Sequence, residues 1–440
     1  MGTTSMVHSV YGDMVPMVLS PLEFVHHLRD QGQGNVLYMG ENEAAGFYQV
    51  WKPEHARYVL QENEKNYTRE PTGARFSPLS MHRSASHEHV IVGIDGDGWR
   101  AKRKSLRASF TRRQAGDFFD LADTCYSDLQ GGNPLARGNT SFQCFELMFA
   151  AILRYTLSLR VEKIVAQGVW RALPGINRYF HNGLFTTRTI MNGGYARDFS
   201  FCRDFFRQAL EERVAFEAEG NSQGPDLFAR VAQKVDLSDP DQLDRLGTDL
   251  LSISLAGADA PSLALAWTLY AIAANPEVRR RLEEEVDVVL GDRSPTQADL
   301  ENLGYTQAVV RESLRLYPPA WYTPRTSVED DSIEGVRIPA GSHVVILQYL
   351  MHRDPQHWDE PDRFRPERFL DSKDHPAYMP YGWGPRYCFA ADYAHVLMTA
   401  FTALIVRDHR IALRSPEPPR MEPLINLRMK QDLHLAMMPR

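Results

Sequence analysis

The chain has 440 residues, 43% hydrophobic and 24% charged, with a formal net charge of −7. The apolar content is enough for a sizeable core, and the acidic balance argues against bulk nucleic-acid binding. The four cysteines, Cys125, Cys144, Cys202 and Cys388, are too widely spaced for a disulfide framework. The first three lie among apolar and aromatic neighbours and read as buried, reduced thiols, which fits a cytosolic compartment.

No signal-peptide pattern opens the chain, since the apolar stretch 14–19 is short and broken by Pro16. Residues 36–39 and 47–50 read as strands, and 53–62 as a short helix. Residues 75–98, rich in Ser, His, Gly and Pro, read as loop. From Trp99 to about Leu290 the patterns are mainly helical, and Asn275-Pro276 is a helix start. The longest apolar stretch, 250–274, carries Asp259 and Pro261 near its middle. A charge there costs a few kcal/mol in a bilayer, so the stretch predicts a long helix buried in a large soluble protein. Residues 337–350 return to strand character, and residues 389–406 show helical spacing through Val396, Leu397, Phe401, Leu404 and Ile405. There is no internal repeat or low-complexity tract. The order predicts one mainly α domain with a smaller β-rich part, spanning 1–440.

The stretch richest in chemistry is Tyr381-Gly382-Trp383-Gly384-Pro385-Arg386-Tyr387-Cys388. Its glycines allow a tight bend that turns backbone N–H groups toward one sulfur. The helix expected from 389 would put Cys388 at a helix N-terminus, where the dipole favours a thiolate and lowers the thiol pKa. A thiolate held this way suits an axial ligand of haem iron.

These residues resemble the haem loop of the cytochrome P-450 superfamily, Phe-x-x-Gly-x-Arg-x-Cys-x-Gly. Tyr381 stands for the Phe, Gly384, Arg386 and Cys388 match, and Ala390 replaces the last Gly. Further elements follow the family in order. Trp99-Arg-Ala-Lys-Arg103 matches its Trp-x-x-x-Arg, Glu312-Ser-Leu-Arg315 its Glu-x-x-Arg, and Pro366-Glu-Arg368-Phe its Pro-Glu-Arg-Phe. The resemblance implies the family's fold and haem b, with Cys388 as the metal ligand. Trp99, Arg103, Arg325 and Arg386 are then expected at the haem propionates, with Tyr381, Gly382 and Gly384 shaping the cofactor loop. Glu312, Arg315 and Arg368 take a structural role.

Residues 256–262, Ala-Gly-Ala-Asp-Ala-Pro-Ser, occupy the place of the family's oxygen groove. Gly257 is expected to let the helix approach the haem, and Asp259 matches the usual acid. The usual threonine is Ala260. Ser262 is a poor substitute, because two residues rotate it roughly 200° about a helix. Pro261 has no N–H to bond the Gly257 carbonyl. Substrate or ordered water is therefore expected to supply the missing hydroxyl.

The resemblance implies a bacterial-type monooxygenase that uses O2 on a small to medium organic substrate, in secondary metabolism and in the cytoplasm. Oxidative coupling or desaturation is the alternative that Ala260 raises, and a non-oxygenase haem sensor ranks below both. The chain ends soon after Cys388 with no fused reductase domain. That implies a separate ferredoxin- or flavodoxin-type donor, docking on a basic face of Arg100, Lys102, Lys104, Arg107, Arg112 and Arg113. The pocket is expected to draw on 76–94, 176–195, 256–260, 320–324 and 423–427, with Phe180, Phe185, Tyr195, Trp321 and Tyr322 making it partly aromatic. Terpenes, polyketides, fatty acids and aromatic peptides all fit such a pocket. His82, His87 and His89 read as loop polarity and not as a second metal site.

Overall fold

A computed structural model describes residues 7–8, 22–23, 25–26, 36–39, 46–69, 91, 94–111, 115–130, 138–185, 193–219, 226–233, 235–371 and 375–440. Two layers result, a large helical body and a smaller sheet region, as the sequence order predicts. The central element is the helix Pro240–Ala274. Asp239 caps it by accepting from the Asp241 and Gln242 N–H groups, and Pro240 fills the first turn, where no donor is needed. Among the described residues it is the one helix long and apolar enough to cross a membrane, and 72% of its most apolar window is buried inside the protein.

Helix Thr140–Leu157 packs along it, starting at an Asn139 cap and ending on Ser158 in the left-handed region at φ 55°. The two helices approach closely at Gly257, where an added Cβ would lie 2.9 Å from the Ile152 side chain. The helix Ala391–Asp408, buried through Val396, Leu397, Phe401, Leu404 and Ile405, completes this core. It begins two residues later than the sequence predicts.

The larger sheet runs β1 (Val7–His8), β2 (Val36–Met39), β3 (Phe47–Val50), β8 (His343–Ile346), β5 (Thr323–Ser327) and β4 (Tyr67–Thr68). β2 and β3 coincide with the predicted strands. Between β5 and β8 lies the hairpin β6 (Asp331–Ile333) and β7 (Val336–Ile338). β9 (His409–Leu413) pairs β12 (Leu435–Pro439), and β10 (Met421–Pro423) pairs β11 (Leu427–Met429). β5 and β8 are antiparallel, with Thr323 opposite Ile346 and Arg325 opposite Val344. Thr323 and Arg325 are two residues apart, so they share a face of that strand.

Local departures have local causes. The predicted helix 53–62 divides into an α-helix Pro53–Arg57 and a π-helical turn Tyr58–Glu62. Helix Pro276–Val289 starts where predicted, but Asn275 uses its side chain on the previous helix, donating to the Ala271 carbonyl at 2.8 Å. The strand reading of 337–350 overshoots. The chain leaves β8 at Ile346 and forms a short helix, Gln348–Met351, whose four residues are all buried and so show no strand alternation.

Candidate active site

The Cys388 loop is a built bend. Gly382 has φ 77° and Gly384 φ 71°, both left-handed values that residues with a Cβ resist. At Gly384 a Cβ would also overlap the Leu60 carbonyl oxygen, in the π-helical turn that abuts the loop. The Cys388 N–H closes the bend on the Tyr381 carbonyl at 2.9 Å, and Tyr387 N–H donates to the Gly384 carbonyl at 3.0 Å. Cys388 keeps accessible surface and lines a cavity of about 350 Å³ under the central helix. The expected thiolate-favouring shift is overturned for the protein alone. Burial raises the Cys388 pKa, outweighing an N–H from Ala390 and the charge of Arg103, which both lower it. The helix itself begins at Ala391, three residues beyond Cys388.

The cavity wall is cationic. Arg325 is 7% exposed, and burial, with Arg69 adding repulsion, pushes its pKa down to about 9. Arg69, which no sequence motif singles out, lines the same cavity, and desolvation lowers its pKa too. Among the described residues no carboxylate pairs with either guanidinium. Arg325 is a buried cation without a counter-charge, which is costly, and Arg69 keeps accessible surface beside it, so the wall fits a ligand bearing carboxylates. With a cysteine sulfur on the same cavity, this donor set fits haem, whose iron takes a thiolate and whose propionates take arginines.

Trp99 and Arg103 lie on helix Gly96–Arg107, which begins inside the stretch predicted as loop. Two guanidiniums lie over the Trp99 ring, Arg386 at 4.0 Å from its centroid and Arg103 at 5.5 Å. Arg103 donates to the Tyr387 carbonyl at 2.5 Å, tying this helix to the cysteine loop. Arg386 lines the cavity but is not free for a propionate. It pairs with Asp95, donates to the Ile94 carbonyl at 2.8 Å and stacks on Trp99. On the expected basic face, Arg100 is paired to Asp97 and Lys102 to Asp249, leaving Lys104 and Arg107 exposed. Arg112 and Arg113 lie outside the described residues.

The groove segment divides by face. Ala256, Gly257, Ala260 and Pro261 line the cavity, whereas Asp259 and Ser262 do not. Asp259 is 4% exposed and turned away. Its Oδ2 accepts from Asn177 Nδ2 at 2.9 Å and Asn426 Nδ2 at 2.8 Å, and Arg428 Nη1 stands 3.7 Å from Oδ1. The expected cavity-facing acid is therefore a buried clamp joining three elements. Gly257 lines the cavity as expected, and it also packs against the neighbouring helix, where an added Cβ would crowd the Ile152 side chain. Ser262 donates to the Asp259 carbonyl at 2.7 Å. Pro261 leaves the Gly257 carbonyl without its helical donor.

Glu312, Arg315 and Arg368 meet away from the cavity. Glu312 and Arg315 are fully buried. Arg315 forks onto both Glu312 oxygens at 2.7 and 2.8 Å and donates to the His352 and Pro361 carbonyls. Arg368 Nε reaches Glu312 at 3.1 Å. His352, missed in the sequence, completes the unit. Its Nδ1 bonds the Arg315 carbonyl at 3.1 Å and its Nε2 accepts the Met379 N–H at 2.8 Å. Burial lowers its pKa to about 3, so it stays neutral.

The predicted aromatic lining is partly wrong. Trp321 and Tyr322 are buried in a separate core cluster, with Trp321 Nε1 donating to the Leu424 carbonyl, and none of residues 423–427 lines the cavity. Their strand-side packing takes them away from it. The aromatic wall is made instead by Trp99, Phe110, Tyr381, Trp383 and Phe389. His82, His87 and His89, and the side chains of Phe180, Phe185 and Tyr195, lie outside what is described. Of the predicted stretch 76–94, Ile91 and Ile94 are described, and Ile91 lines the cavity. Cys125, Cys144 and Cys202 are free and buried, and burial pushes Cys125 up to about 11 and Cys202 to about 12.

A model of the cytochrome P450 family matches residues 36–435. The chain is 37% identical over 424 residues to cytochrome P450 132 of Mycobacterium tuberculosis, covering 88% of this chain and 87% of that protein. It is 29% identical over 357 residues to cytochrome P450 4V2 of Rattus norvegicus, covering 72% of this chain and 67% of that protein. A shorter match, 41% over 143 residues, links 32% of the chain to 31% of cyclooctatin synthase of Streptomyces melanosporofaciens.

Proposed function

The chain belongs to the cytochrome P450 family, an oxidoreductase family of haem-thiolate monooxygenases, and from that premise we propose that Cys388 is its iron ligand. The observation that carries this is a glycine-bent cysteine on the same cavity as two uncompensated arginines. Arg69, Arg325 and Arg103 hold the propionates, while Arg386 and Trp99 brace the loop. When bound, the haem supplies the iron that activates dioxygen at the substrate carbon.

The chain's own contribution is placement. Ile91, Phe110, Ala256 and Ala264 give an apolar wall that excludes water from the reacting carbon. The Ala390 N–H and the Arg103 charge favour the ionised sulfur once iron offsets the burial penalty. Ala260 brings no hydroxyl and Asp259 faces away. Protons therefore reach the groove through water or a substrate hydroxyl docked at the Gly257 carbonyl.

A second reading rests on that same Ala260 and the withdrawn Asp259: oxidative coupling or desaturation, in which no oxygen atom enters the product. The substrate is a small to medium organic molecule of secondary metabolism. The electrons come in the cytoplasm from a ferredoxin- or flavodoxin-type donor, steered by Lys104 and Arg107. A relative whose name is that of a synthase supports a biosynthetic role.

The test is turnover under isotopically labelled dioxygen, with each donor type, on ligands selected by their shift of the haem spectrum. One labelled oxygen in the product is expected. An unlabelled product short of two hydrogens would replace hydroxylation by the second reading. Haem-loaded protein that forms no substrate-dependent product with either donor would contradict both.

A further inference from the structure

A serine or threonine inside a helix commonly spends its hydroxyl on a backbone carbonyl one turn back. The central helix Pro240–Ala274 carries five such residues, Thr248, Ser252, Ser254, Ser262 and Thr268. Thr248 donates to the Asp244 carbonyl at 2.9 Å, Ser262 to the Asp259 carbonyl at 2.7 Å and Thr268 to the Ala264 carbonyl at 2.8 Å. Ser254 meets Thr156 Oγ1 of the neighbouring helix at 3.3 Å. Ser252 is the exception. Its hydroxyl has no hydrogen-bond partner among the described residues, and it is not sealed in the core. The residue keeps accessible surface and lines the cavity, whereas Ser254, two positions on, is fully buried.

We infer that Ser252 is the point at which the cavity reads a hydroxyl or carbonyl oxygen on the substrate. The inference rests on the haem-thiolate reading and adds the class of ligand. The rest of this stretch of wall, Ile253, Ala256, Gly257 and Ala260, offers no side-chain hydrogen bond. A ligand that fills the cavity strips water from Ser252 and must replace it. The serine hydroxyl donates to a carbonyl, and it donates to or accepts from a hydroxyl. An alkyl group in the same place leaves it desolvated and unmatched, at a cost in binding. Ser252, Ala256 and Ala260 recur at intervals of four and so lie in one row along the helix. Eight residues separate Ser252 from the groove position Ala260, about 12 Å of helix. The ligand this favours is elongated, with the bound oxygen several bonds from the carbon that is oxidised.

The test uses haem-loaded protein and matched probes of increasing tail length: ω-hydroxyalkyl, ω-oxoalkyl and plain alkyl imidazoles. The imidazole nitrogen anchors each probe on iron, and the Soret shift reports binding. At the tail length that reaches Ser252, an oxygenated probe should bind about fivefold more tightly than the alkyl one. Ser252→Ala should abolish that preference while the alkyl probe binds at least as tightly as before. Alanine suits a helix interior, so this variant keeps the fold. Ser254→Ala, on the buried side of the same helix, should leave the preference in place. Equal affinity of the three probes at every tail length, or a preference that survives Ser252→Ala, overturns the inference. Protein whose Soret band no probe shifts would overturn the haem reading beneath it, so the two failures are distinguishable.

Discussion

Glu312 carries three partners and is closed off from solvent. Arg315 forks onto it, Arg368 reaches one oxygen, and the Arg365 N–H donates at 2.8 Å. Removing one member of a fully buried pair strands the other, at a cost of about 3–5 kcal/mol. Arg315→Ala is therefore expected to abolish accumulation of haem-loaded protein, measured as the Soret-to-protein absorbance ratio. Arg386→Ala leaves Trp99 stacked on Arg103 and should reduce that ratio without abolishing it. His352 makes the unit pH-sensitive. Its folded pKa of about 3 lies below the ordinary 6.5, so the unfolded chain binds the extra proton first as the pH falls. Stability is full above about pH 6.5 and is lost progressively toward pH 3. His352→Gln should flatten the acid limb of thermal stability between those values. The ion pair was legible from Glu-x-x-Arg and Pro-Glu-Arg-Phe. His352 was not, because a single histidine before Arg353 carries no signal until the Met379 N–H is placed on it.

Helix Pro240–Ala274 shows where reading by pattern stops. Its burial followed from Asp259 and Pro261 interrupting an apolar run, and the structure agrees. The direction each groove residue faces did not follow, because it depends on which helix lies behind. Gly257 meets Ile152 as well as the cavity, and Asp259 serves Asn177 and Asn426. Gly257→Ala should lower stability by about 1–3 kcal/mol by thermal or denaturant unfolding. Adding Ile152→Ala should recover part of that loss, a non-additivity expected of residues in contact. If the double variant is simply the sum of the singles, the close approach of the two helices is not the reason for the glycine. The shift of the pocket's aromatics from Trp321 and Tyr322 to Phe110, Trp383 and Phe389 has the same origin. Strand register and loop path, which spacing alone does not give, decide which ring meets the cavity.

At the scale of the molecule, the family was legible because its motifs are local and fixed in order, from Trp99 to Cys388. The ligand was not, because the cavity draws on β5, the Gln348 turn, the central helix and the cysteine loop at once. The charge pattern was legible only in part. Asp97 and Asp249 neutralise Arg100 and Lys102, so steering by Lys104 and Arg107 predicts a modest fall in donor-dependent reduction rate as ionic strength rises, measured by stopped flow. The central claim is that Cys388 holds haem iron as a thiolate, and the difference spectrum of the reduced protein with carbon monoxide tests it most directly. The account predicts a strongly red-shifted Soret band in the native chain and its loss in Cys388→Ser. A band at the position of histidine-ligated or neutral-thiol haem in the native chain would contradict it.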